Sequence, residues 1–298
     1  MDIAITGSTG LIGKALIRRL EAAGHRAIPV VRSTGGDGDV IRWDPAAGTI
    51  EATAFEGIDA VVHLAGEPIG ARRWNDDVKR AIRDSRVDGT SLLSATLAGL
   101  ATPPAVLLSG SAIGIYGDRG DEQLTEASPP GDGFLAGVTA EWEAATAPAE
   151  EAGIRVVHLR TGIVLSPEGG ALAKQLPLFK FGLGGKLGSG RQYWSWISLD
   201  DEVAMIEWLL DAEPAGPVNL TAPEPVTNAD FTDALGKALG RPTFLPVPSF
   251  GPKLVLGGEL ADELLFTSAR VLPEVATKAG YEFTHPTIDA AFAGLLPR

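Results

Sequence analysis

Three glycines at three-residue spacing carry the clearest chemistry in this chain. Gly7, Gly10 and Gly13 stand in "IAITGSTGLIGKAL", directly after a β-branched run and directly before an apolar helical pattern. In that setting the first glycine permits a tight turn and the second lets backbone N–H groups approach a pyrophosphate. The third lets helix and strand pack closely. A diphosphate would rest at the positive end of the helix dipole. Gly7, Thr9, Gly10, Leu11, Ile12 and Gly13 are therefore expected to cradle an adenine dinucleotide. The next apolar run, "AIPVVRS", ends at Arg32 and Ser33. A carboxylate at that place holds a free ribose 2′-hydroxyl, whereas a guanidinium pairs with a 2′-phosphate in a two-pronged fork. Arg32 and Ser33 thus favour NADP(H) over NAD(H).

A second group follows from "VVHLAGEPIG". Leu64, Ala65 and Gly66 are expected to let the cofactor pass over the strand's carboxyl end, with Glu67 either facing cofactor or substrate or serving a capping or loop role. His63, inside an apolar strand, reads as a core histidine, and the four histidines show no metal-ligand spacing, so no metal is predicted. Arg72, Arg73, Lys79, Arg80, Arg83 and Arg86 form the densest basic stretch. Asp76, Asp77 and Asp84 interleave it, so it reads as a solvated helix face; the alternative is a phosphate role for one or two of its arginines, and Arg86 is counted with the expected cofactor contacts. No Gly-x-Ser-x-Gly elbow is present, which disfavours serine-hydrolase chemistry.

Positioning these residues takes an alternation of strands and helices. Strands are expected at Asp2–Thr6, Ala27–Val31, Val40–Trp43, Ala60–Leu64, Ala105–Ser109 and Arg155–Leu159. Helices are expected at Leu11–Ala23, Asn75–Leu97, Thr139–Ala152, Asp200–Leu210 and Asn228–Leu239. Gly24 and Gly153 close two helices, and Thr227 caps another. The implied fold is α/β: a Rossmann-like doubly wound parallel sheet with a smaller α+β C-terminal substrate lobe. The cofactor domain covers residues 1–165, with 191–220 returning to it, and 166–190 plus 221–298 build the lobe. "LPLFKFGLGGKLGSG" reads as a mobile flap, and Trp194 and Trp196 alternate along an expected strand, with core packing the default for each and the cleft the alternative for one of them. At 298 residues, 45% apolar, without cysteine and with a formal charge of −13, the chain is expected to be cytoplasmic. It is expected to bind neither nucleic acid nor membrane, phosphates being repelled except at local basic patches. Its oligomeric state is left open.

The segments "TGSTGLIG", "VVHLAGEPI", "LLSGSAIGIYGD", "LRTGIVLSPEGG" and "GSGRQYWSWISLDD" resemble the NAD-dependent epimerase/dehydratase family of extended short-chain dehydrogenase/reductases. "RRW", "FGLGG" and "ARVLPEVATKAGYEF" narrow the likeness to an epimerase-like, nucleotide-sugar-epimerase-labelled branch. In the wider family a Tyr-x-x-x-Lys pair moves the proton, helped by a fifth-strand Ser or Thr. The fifth strand matches through Ser109 and Ser111. The pair does not: with Glu141 aligned on the family's acidic residue, Phe134 takes the tyrosine position and Val138 the lysine position. None of the three tyrosines, Tyr116, Tyr193 and Tyr281, is followed four residues later by lysine.

What remains for catalysis is Ser111, as a hydrogen-bond donor to a substrate carbonyl, and Tyr116, either a proton donor near the nicotinamide or a wall aromatic. Ser109 belongs with the cofactor contacts. Arg191 and Tyr193 follow "LGSG", where relatives use an arginine on a nucleotide-sugar phosphate, and are the expected substrate contacts. Two functions follow: an atypical NADP(H)-dependent oxidoreductase or epimerase on a small carbonyl or nucleotide-sugar substrate, or a non-catalytic NADP(H)-binding sensor.

Overall fold

The computed structural model describes residues 1–32 and 39–296. Along the chain, β1 (Asp2–Thr6) leads into α1 (Leu11–Ala22), then β2 (Arg26–Val31), β3 (Ile41–Asp44), β4 (Thr49–Ile50), β5 (Ala60–His63) and α2 (Asp76–Ala98). Next come β6 (Val106–Ala112), β7 (Gln123–Leu124), α3 (Phe134–Ala144), α4 (Ala147–Glu151), β8 (Arg155–Thr161) and β9 (Ile163–Ser166). The remainder comprises α5 (Gly170–Lys180), β10 (Tyr193–Trp194), β11 (Trp196–Ser198), α6 (Leu199–Asp211), β12 (Gly216–Leu220), β13 (Val226–Thr227) and α7 (Asn228–Leu239). The chain closes with α8 (Phe250–Leu256), α9 (Gly258–Ala261), β14 (Arg270–Val271), α10 (Glu274–Lys278) and α11 (Ile288–Leu295).

One sheet, ordered β12-β8-β6-β5-β1-β2-β3-β4, forms the centre, parallel throughout except for the β3–β4 pair. From β1 the chain winds outward through β2 and β3, then returns to the other side of β1 for β5, β6, β8 and β12. The direction reverses between β1 and β5, which places a ligand crevice at their carboxyl ends. Both faces are apolar because both are covered. Ile3, Ile5 and Val62 point to α1 and α6, while Ala4, Val61 and Leu107 point to α2 and α4. Gly24, at φ +86, ends α1 by donating to the Glu21 carbonyl and lets β2 begin two residues later.

A third cluster joins α5, β10, β11, α7 and α11 into a smaller lobe around Leu172, Trp196, Phe231 and Phe292. Thr227 caps α7 by accepting from Asp230 N–H. Two expectations change here. The helix placed at Thr139–Ala152 starts five residues earlier, at Phe134, and breaks after Ala144, with Pro148 in the opening turn of α4. The expected flap is tied down. Its first half completes α5, and its second half pairs with the 244–247 segment through Gly185–Phe244 and Leu187–Val247 bridges. Trp194 and Trp196 are both buried in the lobe cluster, the core packing that was the default for each, and lie on two short strands either side of Ser195.

Candidate functional site

The crevice at the switch point is built of backbone. Gly7 sits at φ +68, and a Cβ there would lie 2.7 Å from the Leu64 carbonyl and 2.9 Å from Ala65 N. The ends of β1 and β5 are therefore in direct contact. Thr6 Oγ1 stitches them, accepting from Leu64 N–H at 3.0 Å and Ala65 N–H at 3.1 Å. With both lone pairs engaged, the Thr6 hydroxyl proton goes to His63 Nδ1 at 2.7 Å, so Nε2 carries the imidazole proton and donates to Thr90 Oγ1 at 3.0 Å. Burial, with a lesser push from the Arg86 charge, lowers the His63 pKa to about 4. It is a neutral, fully satisfied core histidine.

Gly10 is the α1 N-cap and contributes no side-chain cap, leaving the first-turn N–H groups of Leu11, Ile12 and Gly13 facing the crevice mouth. A Cβ at Gly13 would stand 2.3 Å from the Gly7 carbonyl. These contacts make a floor that side chains would fill, which is what a bound pyrophosphate requires. Thr9 is exposed and Leu11 and Ile12 half-buried on the same rim. Gly66 is overlain by Arg86, whose guanidinium carbon would be 3.2 Å from a Cβ at that glycine. Arg86 Nη1 donates to the Glu67 and Ile82 carbonyls, and its guanidinium stacks 5.1 Å from the Trp142 ring. Burial, against the attraction of Glu67, lowers its pKa to about 10. Glu67 is held by Ser85 and lies 3.3 Å from Arg72. Arg32 is exposed at the end of β2, on the same edge of the sheet; Ser33 lies outside the described residues.

One strand further, Ser109, Ser111 and Tyr116 belong to a different environment. Ser109 is fully buried, in register with His63 on one side and His158 on the other. Ser111 donates to Glu143 Oε1 at 2.6 Å. Glu143 is gripped by Arg160 through Nε at 2.8 Å and Nη2 at 2.9 Å, and Arg160 Nη1 donates to the Tyr116 hydroxyl at 2.9 Å. That hydroxyl in turn donates to Asn219 Oδ1 at 2.7 Å. Burial pushes the Glu143 carboxyl up, but the Arg160 and Ser111 hydrogen bonds overcome it and hold it below the ordinary carboxylate range. Burial raises the Tyr116 pKa despite the nearby Arg160 charge. Tyr116 is wholly inaccessible, and both roles of its hydroxyl are occupied by the chain itself. Arg160, Glu143 and Asn219 were not picked out from sequence. The one local signal is a charge inside the apolar run "VVHLRT".

At the positions matched to the family's proton-transfer pair, Phe134 is the first residue of α3, with its ring 5.0 Å from Trp74 and Lys79 Nζ 4.6 Å above it. Val138 is buried. From the small lobe, Glu263 accepts from Phe134 N–H at 3.0 Å, tying the lobe to this helix end. Arg191 is exposed on the lobe, while Tyr193 is half-buried beneath the guanidinium of Arg270, 5.0 Å from its ring centre. Arg270 is half-buried, and its Nε is buried with no acceptor, beside the expected substrate contact.

Residues 3–221 match the model of the NAD dependent epimerase/dehydratase family, and residues 247–295 match a domain of unknown function (DUF1731). Epimerase family protein Mb2239 of Mycobacterium bovis is 46% identical over 97% of this chain and 95% of its own length. Human epimerase family protein SDR39U1, solved with NADPH, superposes with a TM-score of 0.91 at 34% identity, covering 99% of both chains. The nucleoside-diphosphate sugar epimerase of Corynebacterium glutamicum superposes at 0.82 with 40% identity, covering 99% of this chain and 58% of that longer one.

Proposed function

We propose, from the premise that this chain belongs to the NAD dependent epimerase/dehydratase family, that it binds NADP(H) at the β1–β5 crevice and acts as an atypical oxidoreductase or epimerase on a small anionic carbonyl or nucleotide-sugar ligand. The observation that carries the reading is the steric closure at Gly7 and Gly13, which reserves the amino end of α1 for a diphosphate. The solved human relative, at 34% identity, contains NADPH. Gly7, Gly10, Leu11, Ile12 and Gly13 would hold the diphosphate, Arg32 the 2′-phosphate, and Leu64, Ala65 and Gly66 the face beyond it. Arg86 would supply positive charge there. The bound nicotinamide supplies hydride transfer.

This chain's own residues supply little proton chemistry. Phe134 and Val138 carry no exchangeable side-chain proton, and the Tyr116 and Ser111 hydroxyls are engaged by Asn219, Arg160 and Glu143. Tyr116 and Ser111 are read as wall residues held by the Arg160–Glu143 pair, so a proton needed in the reaction would come from water or from the substrate. The Arg270 guanidinium above Tyr193, with its Nε unpaired, and the exposed Arg191 two residues before Tyr193 favour an anionic substrate group. A second reading, a cofactor-binding sensor without turnover, is supported by the same locked hydroxyls.

Two measurements test these readings. Arg32→Ala is expected to weaken NADPH binding by about 1–3 kcal/mol in calorimetry and leave NADH almost unaffected; equal losses for both would remove Arg32 from the 2′-phosphate. Following nicotinamide absorbance with a panel of nucleotide sugars and carbonyl compounds separates the enzyme from the sensor. Tight binding with no turnover on any of them selects the sensor.

A further inference from the structure

Leaving aside the N-terminal Met1, every exposed large apolar side chain among the described residues belongs to one region of the small lobe. Leu178, Phe181 and Leu183 come from the end of α5 and the turn after it, Phe244 and Leu245 from the segment bridged to it, and Phe250, Leu254 and Val255 from α8. Phe181 is 81% exposed, Phe244 78% and Phe250 71%. At ~200 Å² a ring, these three alone put roughly 450 Å² in water, and five aliphatic chains add to it. The rings alone match the largest patch of an ordinary monomer, roughly 300–600 Å² and often functional, before the aliphatic chains are counted. The two strips are continuous, since Gly182 meets Pro242, Gly185 pairs with Phe244, and Gly188 lies against Ser249, the residue before α8.

The charge on the same strips is one-sided. Residues 169–190 contain Lys174, Lys180 and Lys186 and no Asp or Glu; residues 240–258 contain Arg241 and Lys253 and no Asp or Glu. Only Lys253 of these five makes an ion pair, with Asp262, among the described residues. A chain of formal charge −13 has thus concentrated unpaired cations where it exposes phenyl rings. A two-fold contact with a second copy would set these cations against each other. An anionic bilayer accepts both features, with rings entering the headgroup–acyl boundary and lysines on the phosphates. The acidic remainder does not forbid it, because at physiological salt charges more than ~8 Å away are largely screened.

We propose that this face of the small lobe docks on an anionic phospholipid surface. The proposal departs from the expectation that the chain avoids membranes; it concerns the surface only, since no described helix is long and apolar enough to cross one. The test is sedimentation of the full chain with vesicles of phosphatidylcholine, with and without phosphatidylglycerol. Binding is expected to be about ten-fold stronger on the anionic vesicles and to fall at about 0.3 M salt. Phe181→Ser with Phe250→Ser, and separately Lys180→Glu with Lys186→Glu, should each abolish it while leaving the thermal unfolding midpoint in place. If the serine variant unfolds, the charge variant decides. Equal binding to both vesicle types, no binding to either, or a dimer that the serine variant dissociates would overturn the proposal.

Discussion

Glu202 is the residue whose environment conflicts most with its chemistry. It is fully buried in the first turn of α6, one carboxylate oxygen accepts from Thr161 Oγ1 at 2.8 Å, and the other has no partner. Burial, against that one hydrogen bond, raises its pKa from 4.5 to about 8. The folded state therefore holds a proton that the unfolded chain releases across this interval. Stability is undiminished below the ordinary carboxylate value, falls as pH rises toward 8, and levels off above it. At pH 7 the cost is on the order of 3 kcal/mol. Glu202→Gln is expected to recover most of that and flatten urea-unfolding stability between pH 5 and pH 8 (about these limits). A variant that keeps the wild-type slope would show that Glu202 is not the titrating group. Nothing local in "SLDDEVAM" announced this, because a carboxylate's burial depends on which strand the helix crosses. The glycines of the crevice were legible, since their constraint is set within a few residues by the backbone itself.

At the level of elements, β1, α1 and α2 lie within a residue or two of where periodicity and caps put them, and α7 begins and ends where expected. The strand–turn–helix unit makes a sharp prediction. Gly13→Ala would push a methyl into the Gly7 carbonyl, so NADPH affinity should fall at least ten-fold with about 1–3 kcal/mol lost from stability. Unchanged calorimetry would mean that α1 tilts away without harm. The α3 start was missed because "FLAGV" is apolar on all sides and Gly133 at φ +115 offers no side-chain cap; Glu263 supplies it from 129 residues away. The clamp joining α3 to β8 was equally invisible. Arg160→Met strands a buried Glu143 carboxylate and should cost about 3–5 kcal/mol, while adding Glu143→Leu should restore much of the loss. A double variant no better than the single would place the energy elsewhere than in the pair.

Over the whole molecule, the doubly wound sheet was readable because strands buried on both faces appear as continuous β-branched runs. The small lobe was harder, its strands β10, β11 and β13 being two or three residues long. Net charge is a whole-chain average, and the −13 does not describe the stretches 169–190 and 240–258, which carry no Asp or Glu. One feature of the sheet matters before the protein is complete. β8 ends at residue 161, yet its outer neighbour β12 is not made until residue 216, after the chain has left the sheet for the lobe and come back. While a ribosome synthesises the intervening stretch, the dinucleotide cradle can already close, but "VVHL" presents an open hydrogen-bonding edge. It is at this stage of its biogenesis that a chaperone would protect the nascent chain most.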